Sequence, residues 1–356
     1  MTETMNDINS YNISTLESLM TGAEKVAIVT HMKPDGDAMG SSIALYHFLR
    51  NIGKPSRIII NDPYPTYLSF LVSEEMAGDI LTADSNPSES AEYITSSDLV
   101  ICLDFNAFHR TDRLETPLSE ARGKKILIDH HLNPARELFD LSFSETEVSS
   151  ASELLYHILM ATTVTSGDAG RLGKECREAL MTGMTTDTNN FANSVFPSTL
   201  HMASALLAAG TDRGFILNRI YNQYGENRLR LMGHMMKDLL TITEDGVAYI
   251  VLDKETMERY CTSEGDTEGF VNMPLSIAEV RMSILAKEDN GRIRISIRSK
   301  RGTSANMCAR MHFNGGGHEN AAGGRLLVPE NVKGIEEVGE YIERVTHIFL
   351  NDNEDN

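Results

Sequence analysis

A short polar segment that follows an apolar run carries three side chains able to bind metal ions. The segment His31-x-x-x-Asp35-Gly-Asp37 places one imidazole and two carboxylates directly after the apolar residues 26–30. We expect a loop here, because the alternating side chains of a strand could not bring all three groups to one point. Imidazole combined with carboxylates suits divalent manganese, magnesium, iron or zinc. The alternative is a solvated Pro-Asp-Gly turn without a ligand.

Three further segments repeat this pattern of acids and imidazoles. Two apolar runs end in Asp104 and in the triplet Asp129-His130-His131, and a fourth segment carries Asp187. Ligands of open α/β sheets bind beyond the carboxyl ends of the strands, so we expect these side chains to meet in one crevice. A single buried histidine or strand-end aspartate is usually structural. Four such segments together favour a metal site.

The overall composition limits the partners of the chain. Its 356 residues are too many for one ordinary domain, so we expect two. The net charge of −19 argues against binding long nucleic acid through a basic surface. A small anionic substrate can still bind where metal ions and a few local cations supply positive charge.

Cysteine spacing and the absence of long apolar segments predict where the protein resides. The four cysteines lie far apart and form no Cys-x-x-Cys pair, which is typical of a reducing cytoplasm: Cys102, Cys176, Cys261 and Cys308. The first residues lack a basic region and an apolar segment, and no run is long enough for a membrane span. We therefore expect a soluble cytoplasmic protein without a membrane partner. A monomer and a homodimer both remain open.

Strand and helix patterns alternate through the first half of the chain. Strands are predicted at 26–30, 56–61, 98–104 and 125–129, and helices at 43–52, 171–183 and 198–209. This alternation predicts a mainly parallel sheet with helices on both faces. Ser150 and Glu153 have the spacing of a capping box at the start of another helix.

The pattern of the second half predicts a linker and a smaller domain. A strand is predicted at 247–252, and Asn290-Gly291 predicts a hairpin between the alternating runs 280–286 and 293–297. We predict an N-terminal α/β domain at 12–214, a helical linker at 215–242 and a smaller α/β domain at 243–350. We expect the active-site cleft to lie between the two domains.

These motifs resemble those of the DHH phosphoesterase superfamily, which is named for the Asp129-His130-His131 triplet. All four N-terminal motifs occur in order, and the segments 296–300 and 315–324 resemble the associated C-terminal domain. The pairing is most similar to bacterial enzymes that degrade very short RNAs and dephosphorylate 3′-phosphoadenosine 5′-phosphate (pAp). In such relatives the fourth motif often reads Thr-Asp-Thr-Gly, whereas Asn189 stands here at the last position. Asparagine tolerates left-handed backbone, so we expect the loop to be retained.

The resemblance implies a centre for two divalent ions. It assigns His31 and Asp35 to the first ion, Asp37, His130 and Asp187 to the second, and Asp104 to both. Mn2+ is the expected metal, with Mg2+ or Co2+ as substitutes. His131 would lie outside this set and would hydrogen-bond a phosphoryl oxygen or protonate the leaving oxygen. Asp129 would orient a neighbouring histidine.

Substrate-binding residues are expected in the C-terminal domain. The candidates are Arg298, Ser299, Lys300, Gly315, Gly316, Gly317 and His318. The glycines could turn their N–H groups inward as an anion nest, and the arginine suits bidentate phosphate binding. The alternative for the lysine is a solvated hairpin end. Asn272 and Asn306 are further candidates.

The resemblance implies hydrolysis of short oligoribonucleotides to nucleoside 5′-monophosphates and of pAp to AMP. One alternative keeps the chemistry but changes the substrate to cyclic di-AMP or the linear dinucleotide pApA. Inorganic pyrophosphatase or exopolyphosphatase activity is a further alternative, which the glycine and arginine segments disfavour. A non-catalytic nucleotide-binding regulator is also conceivable, but it would not need six metal ligands.

Overall fold

The computed structural model describes residues 7–223, 225–262, 265–289 and 291–354. The chain divides between residues 223 and 224 into two compact units. Each unit has its own six-stranded sheet and its own clusters of buried apolar side chains. The expected two-domain α/β architecture is confirmed.

The first unit is built on a parallel sheet. Its strands are β1 (Val26–Thr30), β2 (Ser56–Ile60), β3 (Ile80–Thr82), β4 (Leu99–Leu103), β5 (Lys124–Asp129) and β6 (Leu141–Ser144). They lie in the order β3-β2-β1-β4-β5-β6, and every neighbouring pair is parallel. The chain therefore reverses its direction of winding between β1 and β4. In such sheets this switch point opens a crevice beyond the carboxyl ends of the two strands.

Helices cover both faces of this sheet. They are α1 (Ser10–Gly22), α2 (Gly36–Asn51), α3 (Glu74–Ala77), α4 (Pro87–Thr95), α5 (Glu115–Glu120), α6 (Ala151–Met160), α7 (Lys174–Asp187), α8 (Pro197–Ala208) and α9 (Arg213–Tyr221). Short 3-10 segments lie at Thr66–Leu71, Phe108–Leu114, Arg136–Leu138 and Ala169–Arg171. Alternate residues of β1 face opposite cores: Ile28 packs with α2 and α6, whereas Val29 packs on the side of α4 and α5. A strand buried on both faces explains the unbroken apolar run at 26–30.

The second unit contains a mixed sheet. Its strands are β7 (Thr241–Ile242), β8 (Val247–Leu252), β9 (Met282–Asp289), β10 (Arg292–Ser299), β11 (Gly316–His318) and β12 (Ala321–Leu327). Their order is β11-β12-β10-β9-β8-β7, in which only β8 and β9 are parallel neighbours. The helices are α10 (Glu226–His234), α11 (Lys254–Arg259), α12 (Ala305–His312) and α13 (Val338–Glu354). A π-helical turn lies at Met235–Leu239, and 3-10 segments lie at Phe270–Ser276 and Ile335–Glu337.

Comparison with the sequence predictions shows good agreement for the strands. All four predicted strands of the first unit are present, and the short edge strands β3 and β6 were missed. The predicted hairpin is formed by β9 and β10, with Gly291 at a φ of 79°; Asn290 lies outside the described residues. The segment 215–242, interpreted as one helical linker, divides between the units, with α9 in the first and α10 in the second.

Two other features concern the chain as a whole. Among the described residues, none of the helices combines the length and the apolar character that a membrane crossing needs. All four cysteines are free thiols, and Cys102 is buried in β4 as its apolar setting suggests.

Candidate metal centre

The first motif is divided between a loop and a helix. His31 follows β1, Asp35 is the N-cap of α2, and Asp37 lies in the first helical turn. The Asp35 carboxylate accepts hydrogen bonds from the backbone N–H groups of Asp37 (3.0 Å) and Ala38 (3.1 Å). The expectation that all three side chains lie in a loop was therefore wrong, because an aspartate before a helical sequence is a strong N-cap. The helix begins at Gly36, seven residues earlier than predicted.

The second and third motifs lie where β4 and β5 end. Asp104 follows β4 with a left-handed φ of 64°, and its N–H donates to the carbonyl of Ile128 on the neighbouring strand (3.1 Å). Asp129 is the last residue of β5, and His130 and His131 follow it. These positions agree with the predicted convergence at the carboxyl ends of neighbouring strands.

The fourth motif does not follow a strand. Asp187 is the last residue of α7, so its position depends on a helix end and not on the sheet. Asn189 adopts a φ of 45°, which confirms that asparagine accepts the left-handed conformation at the position where relatives often have glycine.

The six predicted metal ligands come together in two adjacent groups. In the first group, His31 Nε2 lies 3.9 Å from Asp35 Oδ1 and 3.5 Å from Asp104 Oδ2. In the second group, His130 Nε2 lies 3.9 Å from Asp37 Oδ2 and 3.6 Å from Asp187 Oδ2. The ligand atoms within each group lie within 4.8 Å of one another, which is close enough to surround a single ion.

Asp104 contacts both groups. One carboxylate oxygen faces His31, and the other, Oδ1, lies 3.4 Å from His130 Nε2. Oδ1 is buried, and within the described part of the chain it accepts no hydrogen bond of normal geometry. A buried carboxylate oxygen without a donor is costly unless a cation is near it. This arrangement is suited to a carboxylate that bridges two ions.

The close packing of these histidines and aspartates shifts their pKa values. Burial opposes the charged forms of His31 and His130, but Asp104 outweighs it and raises their pKa to about 9 and about 10. Burial alone would raise the pKa of Asp104, yet the two imidazoles hold it well below its usual range. Burial and the charge of Asp104 raise the pKa of Asp37 to about 7, and burial and Asp37 raise the pKa of Asp187. Divalent cations compensate the same excess of negative charge, so the donor set fits a metal centre.

The start of helix α6 holds the Asp37 carboxylate through backbone hydrogen bonds. The Asp37 carboxylate accepts hydrogen bonds from the N–H groups of Ala151 (2.6 Å) and Ser152 (2.9 Å), the first two residues of α6. The positive end of the helix dipole therefore faces this buried carboxylate. The carboxylate keeps a fixed orientation and still has lone pairs for an ion. Sequence reasoning recognised the helix start at Ser150 but not its contact with Asp37.

A buried glutamate secures the start of α6. The Glu153 side chain, fully buried, accepts hydrogen bonds from Ser149 N (2.9 Å), Ser149 Oγ (2.5 Å) and Thr199 Oγ1 (2.7 Å). The Ser150 hydroxyl accepts from Glu153 N (3.0 Å), as in a capping box. The reciprocal bond goes to Ser149 and not to Ser150, one residue away from the predicted partner. Glu153 thus connects α6 to the segment before it and to α8.

Close packing of α2 against α7 fixes the distance between two ligand-bearing helices. A Cβ atom on Gly40 would lie 2.8 Å from the Gly183 backbone and from the Ala179 carbonyl. A Cβ atom on Gly183 would lie 2.0 Å from Ser152 Oγ and 2.8 Å from Asp37 Oδ1. Only glycine allows these backbones to approach so closely.

Histidine tautomers are set by neighbouring acceptors. His31 Nδ1 lies 2.8 Å from the Met32 carbonyl oxygen, which can only accept, so Nδ1 carries a proton. In the neutral imidazole that a metal ion would bind, the lone pair is therefore on Nε2. His131 Nδ1 lies 2.7 Å from Asp129 Oδ1, and the Asp129 side chain is fully buried. The expected role of Asp129 in orienting a histidine therefore has a specific partner, His131.

The predicted substrate residues at the end of β10 differ in what they contact. Lys300 Nζ donates to the carbonyls of Ile277 (2.7 Å) and Ala278 (3.1 Å). The buried Ser299 hydroxyl donates to Thr303 O (2.6 Å). These contacts weaken the substrate-binding prediction for Ser299 and Lys300, because both side chains already bind their own backbone.

Arg298 is in a different situation. Its guanidinium donates to the Ile297 carbonyl (2.9 Å) and contacts that of Ala322 (3.5 Å). Burial lowers its pKa. Among the described residues it forms no salt bridge with a carboxylate, so an anion would satisfy its charge.

The glycine run forms a strand and not an anion nest. Gly316 to His318 constitute β11, the edge strand paired with β12, and Gly315 precedes it. A nest needs alternating helical and left-handed backbone, which an extended strand lacks. The Gly317 N–H donates to Asn306 Oδ1 (3.0 Å), and His318 is exposed. Asn272 lies exposed in the 3-10 segment of the same unit.

Known proteins share this architecture. Residues 25–184 match the DHH family, N-terminal domain, and residues 233–344 match the DHHA1 domain. The bifunctional oligoribonuclease and PAP phosphatase NrnA of Bacillus subtilis is 28% identical over 307 residues, 85% of this chain and 90% of that protein. The cyclic-di-AMP phosphodiesterase GdpP of Geobacillus thermodenitrificans is 23% identical over 317 residues, but the match covers only 46% of that protein.

A solved structure is similar over almost the entire chain. The crystal structure of an exopolyphosphatase-related protein from Bacteroides fragilis has a TM-score of 0.90 and 36% sequence identity, with 98% of both chains covered. The two domain matches lie in the two compact units, and the four N-terminal motifs converge in the first of them. The chain belongs to the DHH family and carries a DHHA1 domain after its DHH domain.

Proposed function

We propose that the protein is a Mn2+-dependent phosphoesterase that hydrolyses short oligoribonucleotides to nucleoside 5′-monophosphates and pAp to AMP. The observation that carries this proposal is the pair of ligand groups that share Asp104. Mixed imidazole and carboxylate ligation without a thiolate suits Mn2+, with Mg2+ or Co2+ as substitutes. The relative named as an oligoribonuclease and PAP phosphatase supports the substrate class.

Six side chains of the first unit would hold the metal ions in this proposal. Two divalent ions, when bound, supply positive charge that lowers the pKa of water and stabilises the attacking and leaving oxygens. His31, Asp35, Asp37, Asp104, His130 and Asp187 would hold them. The N–H groups at the start of α6 keep Asp37 oriented, and the Asp104 carboxylate spans both groups.

His131 and Asp129 supply the proton transfer. Asp129 accepts a hydrogen bond from the Nδ1–H of His131, so the opposite ring nitrogen, Nε2, points away from this contact. In the proposed reaction a water oxygen forms a bond to phosphorus and gives up a proton to the solvent, and the bond from phosphorus to the leaving oxygen breaks. His131 Nε2 delivers a proton to that leaving oxygen, or donates a hydrogen bond to a phosphoryl oxygen.

The C-terminal domain supplies substrate recognition in this proposal. Arg298 is the strongest candidate, because its largely buried guanidinium forms no salt bridge among the described residues. His318 at the exposed end of β11 is the second. The net charge of −19 disfavours long RNA, which supports a preference for short substrates. The cytoplasmic location and a homodimeric state stay predictions.

Two other substrate classes have specific support. The cyclic-di-AMP phosphodiesterase relative favours a cyclic or linear dinucleotide, although this chain spans less than half of that protein. The exopolyphosphatase-related structure favours an inorganic polyphosphate. All three classes would use the same metal centre and differ in what Arg298 and His318 bind.

A substrate panel decides between these classes. The Mn2+-loaded protein is incubated separately with pAp, pApA, cyclic di-AMP, a five-nucleotide RNA, pyrophosphate and polyphosphate, and the products are separated by anion-exchange chromatography. We expect AMP from pAp and nucleoside 5′-monophosphates from the RNA. The Asp104→Ala variant, purified in parallel, controls for contaminating phosphatases. Hydrolysis of pyrophosphate or polyphosphate alone would contradict the proposal.

A further inference from the structure

The backbone that follows α7 has an uncommon conformation. Asn189, Asn190 and Phe191 have φ values of 45°, 58° and 68°, so three consecutive residues without glycine are left-handed. Asparagine adopts this region readily, but a bulky residue such as phenylalanine rarely does. Such a turn persists only where its surroundings hold it in place.

This left-handed turn closes the helix that carries Asp187. The N–H of Asn189 donates to the carbonyl of Thr186 (3.0 Å), and the N–H of Asn190 donates to that of Thr185 (2.8 Å). The last carbonyls of a helix have no partner within the helix, so these two bonds fix the final turn of α7. The direction of the Asp187 side chain therefore depends on the left-handed turn.

Contacts from two places stabilise the turn. Thr188 Oγ1 accepts a hydrogen bond from Phe191 N (3.0 Å) within the turn itself. From α9, the guanidinium of Arg213 donates to the side-chain oxygen of Asn190. The same guanidinium lies 5.3 Å from the centre of the Phe191 ring. Arg213 thus contacts two of the three left-handed residues at once.

We propose that Arg213 is a positioning residue for Asp187. By holding Asn190 and Phe191 in the left-handed turn, it keeps the last turn of α7 intact and Asp187 directed towards His130 and Asp37. This inference rests on the proposed function in one respect, namely that Asp187 is a ligand of the second ion. It predicts that Arg213 determines affinity for that ion without contacting it.

The planar guanidinium is suited to this role. It donates a hydrogen bond to Asn190 and lies over the Phe191 ring, which the compact ammonium of a lysine is less suited to do simultaneously. An Arg213→Lys substitution should therefore reproduce part of the defect while retaining the positive charge.

Metal binding of the full-length protein tests the proposal. After removal of metal by chelation, MnCl2 is titrated into wild type, Arg213→Ala and Arg213→Lys by isothermal calorimetry, and folding is verified by thermal unfolding. For Arg213→Ala we expect the affinity for one of the two equivalents of Mn2+ to fall on the order of 10- to 100-fold, as for other residues that orient metal ligands. The other equivalent should retain wild-type affinity. Arg213→Lys should lie between wild type and Arg213→Ala.

The matched control is Arg219→Ala in the same helix. Arg219 also lies over aromatic rings, those of Phe215 (5.6 Å) and Phe70 (5.8 Å), and not over Phe191. Its substitution should leave both affinities unchanged.

Adding Asn190→Gly to Arg213→Ala should recover part of the lost affinity, because glycine adopts the left-handed conformation without a Cβ penalty.

Three results would overturn the proposal. The first is wild-type binding of both equivalents by Arg213→Ala and Arg213→Lys. The second is an equal loss in Arg219→Ala, which would indicate a general effect of α9. If Arg213→Ala does not fold, unchanged affinity in Arg213→Lys would decide against the proposal. Wild-type protein that binds fewer than two ions would contradict the two-ion centre itself, which distinguishes failure of the proposed function from failure of this inference.

Discussion

Asp129 and His131 form a hydrogen-bonded pair in which Asp129 Oδ1 lies 2.7 Å from His131 Nδ1. The Asp129 side chain is fully buried, whereas 18% of the His131 side chain remains exposed. Because the carboxylate accepts a hydrogen bond from Nδ1–H, it fixes both the tautomer and the ring orientation of the histidine. His131 Nδ1 also lies 3.7 Å from Asp104 Oδ1, so the pair adjoins the predicted metal ligands.

Replacing His131 by alanine should reduce turnover and leave the metals bound. Loss of a positioned proton donor typically lowers the rate about 10²- to 10⁴-fold. Asp129→Ala should have a smaller effect, on the order of 10- to 100-fold, because it removes only the orientation of the ring. Steady-state kinetics with pAp and metal analysis by mass spectrometry provide the two readouts. His201→Ala, an exposed histidine of α8, is the control. Unchanged turnover or loss of an ion in His131→Ala would exclude the assigned role.

Asp104 should be needed for both ions, and Asp35 for only one. Asp104 contacts His31 in the first group and His130 in the second, whereas Asp35 belongs to the first group alone. In Asp104→Ala we expect both equivalents of Mn2+ to bind more weakly, and in Asp35→Ala only one. Calorimetric titration with MnCl2 measures this directly. Two ions bound with wild-type affinity by Asp104→Ala would show that Asp104 does not bridge.

Substrate recognition and bond cleavage should be separable by mutation. Arg298→Ala and His318→Ala should lower kcat/KM for pAp and short RNA roughly ten- to hundredfold, since a charge-assisted hydrogen bond contributes roughly 1.5–3 kcal/mol. Activity on bis-p-nitrophenyl phosphate, which lacks the nucleotide, should be largely retained. The matched control is Arg294→Ala, because Arg294 is an exposed arginine on the same strand, β10. An equal loss on both kinds of substrate would indicate that these residues do not act through the nucleotide.

Acid should destabilise the first unit through Glu153. The side chain is buried, which alone would raise its pKa, but the neighbouring His157 imidazole (3.5 Å) and hydrogen bonds from Ser149 and Thr199 outweigh this effect and lower the pKa to about 2. A lowered pKa means that the folded state favours the carboxylate, so this contribution is complete above about pH 4.5 and disappears as the pH falls towards 2. Its size is at most about 3 kcal/mol.

The Glu153→Gln variant tests this contribution. Urea unfolding between pH 3 and pH 7 should show a lower free energy of unfolding than wild type at pH 7 and a smaller difference at pH 3. Glu175→Gln, at an exposed position of α7, is the control and should follow wild type throughout. A constant difference between Glu153→Gln and wild type across this range would argue against a pH-dependent role for the carboxylate.

Sequence patterns predicted the elements that carry the ligands better than the geometry of the ligands themselves. The buried strands of the first unit are recognisable because β-branched and aliphatic runs are buried on both faces. The start of α2 was missed because Pro-Asp-Gly favours a turn, whereas Asp35 acts here as an N-cap. The helical position of Asp187 and the strand formed by Gly316 to His318 depend on tertiary packing that no local pattern contains.

The supporting contacts of the site were largely outside the reach of sequence reasoning. The bonds from α6 to Asp37 join residues 114 and 115 positions apart. Likewise, Glu153 and Thr199 are 46 positions apart. Spacing along the chain identifies side chains of suitable chemistry, but it does not show which backbone donors will orient them.

The contact of α2 with α7 through Gly40 and Gly183 has a consequence for the cations that the proposed centre would accept. These helices carry Asp37 and Asp187. The distance between these two carboxylates of the second group therefore depends on how closely the backbones of α2 and α7 pack. A methyl group at either glycine would force the helices apart and widen that gap. We therefore expect discrimination by ionic radius, between Mn2+ and the larger Ca2+ for instance, to depend in part on two residues that have no side chain at all.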